Sequence, residues 1–281
     1  MKPIKILKRG LLYTAVIAVS AAVVLPFLLM LTYSLRSSSD IFALDIKFLP
    51  SHPSLDSYRS ALIDYRYSDT GFLDWGRNSL LACGIATLLS MFFAATCGYA
   101  ICRFKFTGKS ILWFIIVLTQ TIPWIVILIP YYITLARLGL VNNLWSLCAT
   151  YLAVFMPTST WLFVGFFHTI PLEIEEAARI DGCGAWGIFF RVVVPLSGAA
   201  VSAIALVTFV SGWGDYLFAS VLLKSAGNWT IPLGLQSFRG EHTIRWSEIM
   251  AMSALITVPI VALFIYLQRH LVSLMAGGVK Q

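Results

Sequence analysis

The chain is 281 residues long, 59% hydrophobic and 12% charged, whereas soluble domains are about 45–50% apolar and about 25% charged. That balance excludes an ordinary soluble domain and marks an integral membrane protein. The formal charge of +7 comes from cations flanking apolar runs, so it reflects topology and no nucleic-acid partner is expected.

A spanning helix needs about 20 mostly apolar residues, and six runs meet that need, at about 11–34, 78–101, 111–135, 144–167, 199–222 and 247–268. Each is too long and too uniformly apolar for the alternating strands of a barrel. The predicted fold is therefore all-α: one membrane domain covering 1–281, with six spans. Lys2, Lys5, Lys8 and Arg9 precede the first run, which is too long for a secretory signal and passes Ser20, Ala21 and Ala22 without a break. It reads as an uncleaved helix.

Lys and Arg in short flanking segments resist translocation. The N-terminal tail carries four cations and the loop 102–110 carries Arg103, Lys105 and Lys109, whereas 136–143 carries only Arg137. Both termini are thus expected in the cytoplasm, and 36–76 and 223–246 outside. In the first outer segment, Pro50-Ser51-His52-Pro53 reads as a turn and Leu55 to Tyr65 as a short helix or an interfacial segment. The second mixes Gly227, Pro232, Gly234 and Gly240 with Trp229, Phe238 and Trp246, which suits an interfacial aromatic belt or a surface for an outside partner.

Cys83, Cys97, Cys102 and Cys148 lie in or beside spans and Cys183 in an inner loop, so no oxidised pair is expected. His52, His168, His242 and His270 lack ligand spacing, and no metal site is read. Pro26, Pro123, Pro130, Pro157 and Pro259 interrupt the spans. Each removes a backbone donor and favours a kink, as suits helices that open and close a path.

The polar stretch between the fourth and fifth runs, 168–198, is patterned. Pro171, acidic Glu173, Glu175 and Glu176, and Gly182 predict a helix over about 171–181, begun by proline and negative charge and ended by a left-handed glycine. Ile174, Ala177, Ala178 and Asp181 form a narrow small-residue face that can approach another surface closely. A second short helix, about Ala185 to Val193, would carry Trp186, Phe189 and Phe190, with Pro195 marking the turn back into the membrane. Three glutamates argue against a helix that merely rests on anionic headgroups.

No residues here hydrolyse ATP. Gly108-Lys109-Ser110 resembles the end of a phosphate loop, but position 103 is Arg rather than Gly and no strand precedes it. Glu241 and Glu248 lie near the expected outer surface with no second acidic group readable beside either.

Glu176, Ala177, Ala178, Asp181 and Gly182 followed by Pro195-Leu196 resemble the signature loop of permease subunits in bacterial binding-protein-dependent ABC importers. The likeness runs along nearly the whole chain. Its length, six spans and the Met-Ala-Gly-Gly-Val-Lys stretch at 275–280 are similar to the carbohydrate branch, the relatives of the maltose importer's smaller permease subunit. Trp213-Gly214-Asp215-Tyr216-Leu217 is also similar to a family segment, while Cys183-Gly184 departs from the family's usual bulkier polar pair. The resemblance implies a multi-pass inner-membrane subunit that imports a sugar or related polyol. It implies a second permease subunit, two ATPase subunits carrying ATP and Mg, and an extracytoplasmic binding protein, with no cofactor on this chain and membrane lipid around it. It also implies that Glu176, Ala177, Ala178, Arg179, Asp181, Gly182 and Pro195 couple to the ATPase.

Asp215, the acidic residue well inside a span, with Trp213 and Tyr216 nearby, is a candidate for the solute path: a carboxylate accepts from hydroxyls and an aromatic face suits a sugar ring. Two other classes remain open at this point. A secondary transporter would show repeated halves and ionisable clusters, and a membrane scaffold would need no path.

Overall fold

Helices dominate because the apolar runs leave backbone groups only one another as partners. The computed structural model describes residues 2–41, 48–50, 52–240 and 244–277, with the side chains of 2–7, 38, 39 and 270–277 left aside. Among the described residues there is no β-strand. Ser51, Glu241, His242 and the end of the Met275–Lys280 stretch lie outside them, as does the side chain of His270.

The main helices are α1 (Lys2–Ser34), α2 (Phe72–Arg103), α3 (Lys109–Thr119), α4 (Trp124–Arg137), α5 (Leu144–Phe167), α6 (Leu172–Ile180), α7 (Ala185–Leu196), α8 (Gly198–Trp213), α9 (Leu217–Leu222) and α10 (Trp246–Gly277). Four of them are long and apolar enough to cross a membrane unaided, over Lys8–Ser34, Phe72–Arg103, Leu144–Phe167 and Trp246–Arg269. Two bent pairs, α3 with α4 at 99° and α7 with α8 at 79°, are long and apolar enough only when each pair is taken together, so the candidate spans number four, or six if each pair is one.

The third run is thus broken, not merely kinked as its prolines suggest. Pro123 has no N–H for the helix ladder and disfavours helical backbone before it; its own ψ of 123° is extended. The hydroxyls of Thr119 and Thr121 donate to the carbonyls of Ile116 and Leu118 at 2.7 and 2.8 Å, which eases the loss of backbone partners at the break. Elsewhere proline is tolerated: Pro26, Pro130, Pro157 and Pro259 all lie inside helices.

The fifth run also differs from the expected 199–222. Helix α8 stops at Trp213, and after Gly214-Asp215-Tyr216 the short α9 begins. The helix expected to end near Val193 instead runs through Pro195 to Leu196 by way of a π-helical turn at Phe189–Val193. A widened turn accommodates the missing proline donor, and the bend falls at Ser197 instead.

The chain groups into two compact units. In the first, residues 1–72 and 235–258, a small core forms around Tyr65. Its ring meets Phe238 at 4.0 Å and its hydroxyl donates to the Ser237 carbonyl at 2.7 Å. The expected short helix appears as Asp56–Arg59 continued by Ser60–Asp64. Arg245 pairs with Glu248 at 2.7 Å and donates to Ser60 Oγ at 2.9 Å. Glu248 therefore has a cation beside it. Helix α1 leaves its apolar window wholly uncovered, a surface that suits lipid or another apolar helix.

The second unit, 73–234 and 259–281, holds the rest. Its helices approach closely where side chains are small: a Cβ at Gly98 would sit 3.1 Å from the Phe163 Cβ, so glycine lets α2 and α5 touch. At one end of this unit Trp75 Nε1 donates to the Ala226 carbonyl at 3.1 Å, and Asn78 Nδ2 to the carbonyls of Gly227 and Trp229 at 2.8 and 3.0 Å. Asn142, at φ 61°, accepts from the backbone of Lys224 and Ser225, at 2.9 Å each. Among the aromatic residues of 223–246, Trp229 is half-buried in this unit, while in the first unit Phe238 is buried and Trp246 half-buried.

Candidate functional site

At the opposite end, α2 and α5 finish side by side and the polar loop packs beneath them. Glu175 points inward from α6 and is the buried residue of that helix. Arg103 Nε donates to its Oε1 at 2.6 Å, and the two side chains are 9% and 2% exposed. Tyr99 donates to Oε2 at 2.9 Å. The Arg103 Nη2 group reaches on to the carbonyls of Phe167 and Ile170, at 3.1 and 2.9 Å, closing the end of α5. One guanidinium therefore ties the ends of two candidate spans to α6. A buried ion pair persists only when its remaining donors and acceptors are also engaged, and here both oxygens and both donating nitrogens are.

Helix α6 ends as its glycine predicts. Gly182 has φ +85°, Cys183 N–H donates to the Ala178 carbonyl at 3.0 Å and Gly182 N–H to that of Arg179 at 3.1 Å. These are the two bonds of a Schellman motif. The opposite face is open: Glu173, Ile174, Glu176, Ala177, Arg179, Asp181 and Gly182 are exposed and Ala178 half-buried. Ile180 is 87% exposed, an apolar side chain with no cover. The named loop residues thus share one short element, except Pro195, which is exposed on α7.

Sequence reading missed Glu175. Its neighbours Glu173 and Glu176 look identical to it, and the partner lies 72 positions away. The only signal was helical phase: Glu175 lies three residues before half-buried Ala178.

The broken third crossing creates a second feature. Where α3 gives way to α4, a cavity of about 340 Å³ opens against α5 and α8. Thr119, Gln120, Thr158, Ser159, Thr208 and Ser211 supply its polar wall, and Trp124 and Phe155 its aromatic one. A larger cavity of about 540 Å³ shares Leu162 with it and is bordered by Ile101 of α2, Lys109 and Trp113 of α3, and Trp161 and His168 of α5 and its end. The polar residues Thr119-Gln120-Thr121 before Pro123 were visible in the sequence, but an interrupted apolar run was read only as a kink.

Asp215, Trp213 and Tyr216 line neither cavity. Asp215 accepts from Tyr151 Oη at 2.9 Å and from the backbone of Phe218 and Ala219 at 3.3 and 3.1 Å. These are the unsatisfied first N–H groups of α9, so the carboxylate caps that helix. Trp213 is 2% exposed and stacks on Phe209, whereas Tyr216 is 46% exposed. The structure does not bring the three into one constellation.

Comparison with known proteins agrees with this architecture. A family model described as "Binding-protein-dependent transport system inner membrane component" matches residues 86–277. The maltodextrin transport system permease protein MdxG of Bacillus subtilis is 32% identical over 98% of this chain and 98% of its own length. The inner membrane ABC transporter permease protein YcjP of Escherichia coli is 30% identical over 91% and 90%. The arabinooligosaccharides transport system permease protein AraQ of Halalkalibacterium halodurans is 30% identical over 98% and 96%. A chain in the crystal structure of a bacterial ABC transporter that imports the acidic polysaccharide alginate superposes with a TM-score of 0.75 at 18% identity, covering 92% of this chain and 95% of that one, which speaks for the fold. With the family match spanning most of the chain, its helical crossings and its glycine-ended polar loop, the chain belongs to the inner-membrane components of binding-protein-dependent transport systems, the permeases of that family.

Proposed function

We propose that this chain is one permease subunit of an ATP-driven importer for a sugar or related polyol, acting as a single membrane domain. Both termini and the loop 168–198 face the cytoplasm. There α6 sits against an ATPase subunit, where hydrolysis of Mg-bound ATP supplies the energy, and a binding protein delivers the solute from outside to this subunit and a second permease. Relatives named for maltodextrin and arabino-oligosaccharides support the substrate class.

The observation that carries the reading is the two-sided character of α6. Its inner face is locked by Glu175 to Arg103, and its outer face presents Glu176, Ala177 and Asp181 to solvent. A helix docked only by lipid would have no reason to be fastened so rigidly while offering an acidic, small-residue face. The ATPase subunits approach each other on binding ATP, and α6 conveys that displacement through Arg103 to the ends of α2 and α5. Glu176 meets a basic group of the ATPase, as the family resemblance implies, and the alanines permit close approach. Asp215, Trp213 and Tyr216 act at the far end of the solute path, with Asp215 holding the turn between α8 and α9.

Gentle detergent extraction tests the proposal. An ATPase subunit and a second permease should co-purify, and a transported neutral oligosaccharide with its binding protein should stimulate hydrolysis. Recovery of this chain alone under conditions that preserve other membrane complexes would overturn it.

A further inference from the structure

We infer that this chain itself holds a solute subsite at the break between α3 and α4, shaped for an uncharged, polyhydroxylated ring. The inference rests on the importer reading and adds where, and on which subunit, the solute is touched. The break lies eleven residues past the start of α3, roughly 16 Å along the helix at ~1.5 Å per residue, so it falls well inside the crossing. Discontinuous membrane helices place backbone ends and polar side chains at such depths, and transporters use them to hold cargo.

The lining decides the chemistry. Among the described residues no Asp, Glu, Lys, Arg or His borders the cavity at the break, so a charged solute would lose its hydration there without a counter-charge. Most of the hydroxyl hydrogens are already engaged, and the one bond between Ser159 and Thr208 uses a single hydrogen of the two. Thr119 donates to Ile116 and Ser211 to Val207, at 2.7 and 2.8 Å, while Ser159 and Thr208 share a bond of 3.2 Å. Their oxygens keep lone pairs and act as acceptors. Gln120 accepts from Thr158 at 3.4 Å through Oε1, and its amide group has no partner among the described residues, which leaves donors. A sugar ring supplies the complement: hydroxyls that both donate and accept, and a C–H face for Trp124 and Phe155. The neighbouring cavity, which shares Leu162, adds Trp113 and Trp161 as further aromatic faces.

The test uses the full complex in proteoliposomes with its binding protein. Maltotriose, an arabino-oligosaccharide, a galacto-oligosaccharide and a uronate oligosaccharide are supplied singly, and ATP-dependent uptake identifies the transported member. A neutral member is expected. Gln120→Leu and Trp124→Ala should then raise the half-saturating concentration or lower the maximal uptake about tenfold, the scale of one or two lost contacts, with the ATPase subunit still co-purifying. Thr96→Ala, outside the cavity, should leave uptake at the parental level. In an otherwise cysteine-free protein, Ser211→Cys should react with a thiosulfonate reagent, and the transported sugar should slow that reaction severalfold.

Transport of the uronate alone would overturn the assigned class. Parental uptake in both cavity variants, or a Ser211→Cys reaction rate untouched by sugar, would overturn the subsite while leaving the importer reading intact. If no member is taken up, the importer reading fails and this inference with it.

Discussion

Arg103 and Glu175 stand at opposite edges of a sequence interval that contains the helices α3, α4 and α5, yet their side chains meet at 2.6 Å in a buried pair. The pair makes α6 one rigid body with the ends of α2 and α5. Removing one partner strands a buried charge and costs about 3–5 kcal/mol, whereas replacing both by apolar groups of similar volume is often neutral. Glu175→Gln or Arg103→Met should therefore lower the melting temperature of the purified complex, and the double variant Arg103→Met/Glu175→Leu should recover much of it. An apolar contact has no direction, however. In the double variant the ratio of solute imported to ATP hydrolysed should fall severalfold even with the complex intact. A parental ratio would show that the pair only stabilises.

The general architecture was legible in sequence because lipid leaves the chain so few choices. Four of the six apolar runs correspond to single helices long enough to cross and the other two to bent pairs, and Pro171 and Gly182 bracketed α6 to within a residue. What escaped reading depends on contacts between distant elements. Nothing local distinguishes Glu175 from Glu173 or Glu176; the difference is the guanidinium that α2 brings beneath it. The break at Gln120–Pro123 and the polar cavity behind it needed α5 and α8 in place before scattered Thr and Ser residues became one wall. Asp215 was visible as an oddity, but its engagement with Tyr151 was not.

The proposed orientation rests on the cation distribution and can be checked directly. In a cysteine-free background, Lys224→Cys should react with an impermeant maleimide in intact cells, while Thr107→Cys should react only after the membrane is opened. Native Cys183, restored alone, should behave like Thr107→Cys. Labelling of Cys183 from outside would place α6 on the wrong side for an ATPase.

Glu176→Lys and Gly182→Val test the exposed face and the end of α6. Charge reversal at Glu176 replaces attraction by repulsion across a partly desolvated contact, so ATPase retention should drop at least several-fold. At Gly182 the backbone φ of +85° disfavours a β-branched side chain, with a cost of about 1–3 kcal/mol concentrated at the loop. Both proteins should still reach the membrane in normal amount. Normal transport together with normal ATPase retention in both would remove the docking assignment.

Asp215 offers a final discrimination, because its hydrogen bonds with Tyr151 and the backbone of Phe218 and Ala219 give it a structural task that can be separated from contact with solute. Asp215→Ala deletes the cap of α9 and the partner of Tyr151, and loss of a helix cap costs about 0.5–2 kcal/mol. Asp215→Asn retains one carbonyl acceptor for the backbone of Phe218 or Ala219, so it should be milder. Tyr151→Phe removes only the hydroxyl that donates at 2.9 Å and leaves the carboxylate in place. If Asp215 serves transport by fixing the turn between α8 and α9, Tyr151→Phe and Asp215→Asn should each reduce uptake modestly and Asp215→Ala by about tenfold, all with the ATPase retained. A carboxylate that also contacts solute adds a distinct signature: Asp215→Asn should then raise the half-saturating sugar concentration while Tyr151→Phe changes only the maximal rate. Parental uptake in Asp215→Ala would exclude both roles, and loss of the second permease from the purified complex would assign the residue to subunit assembly instead.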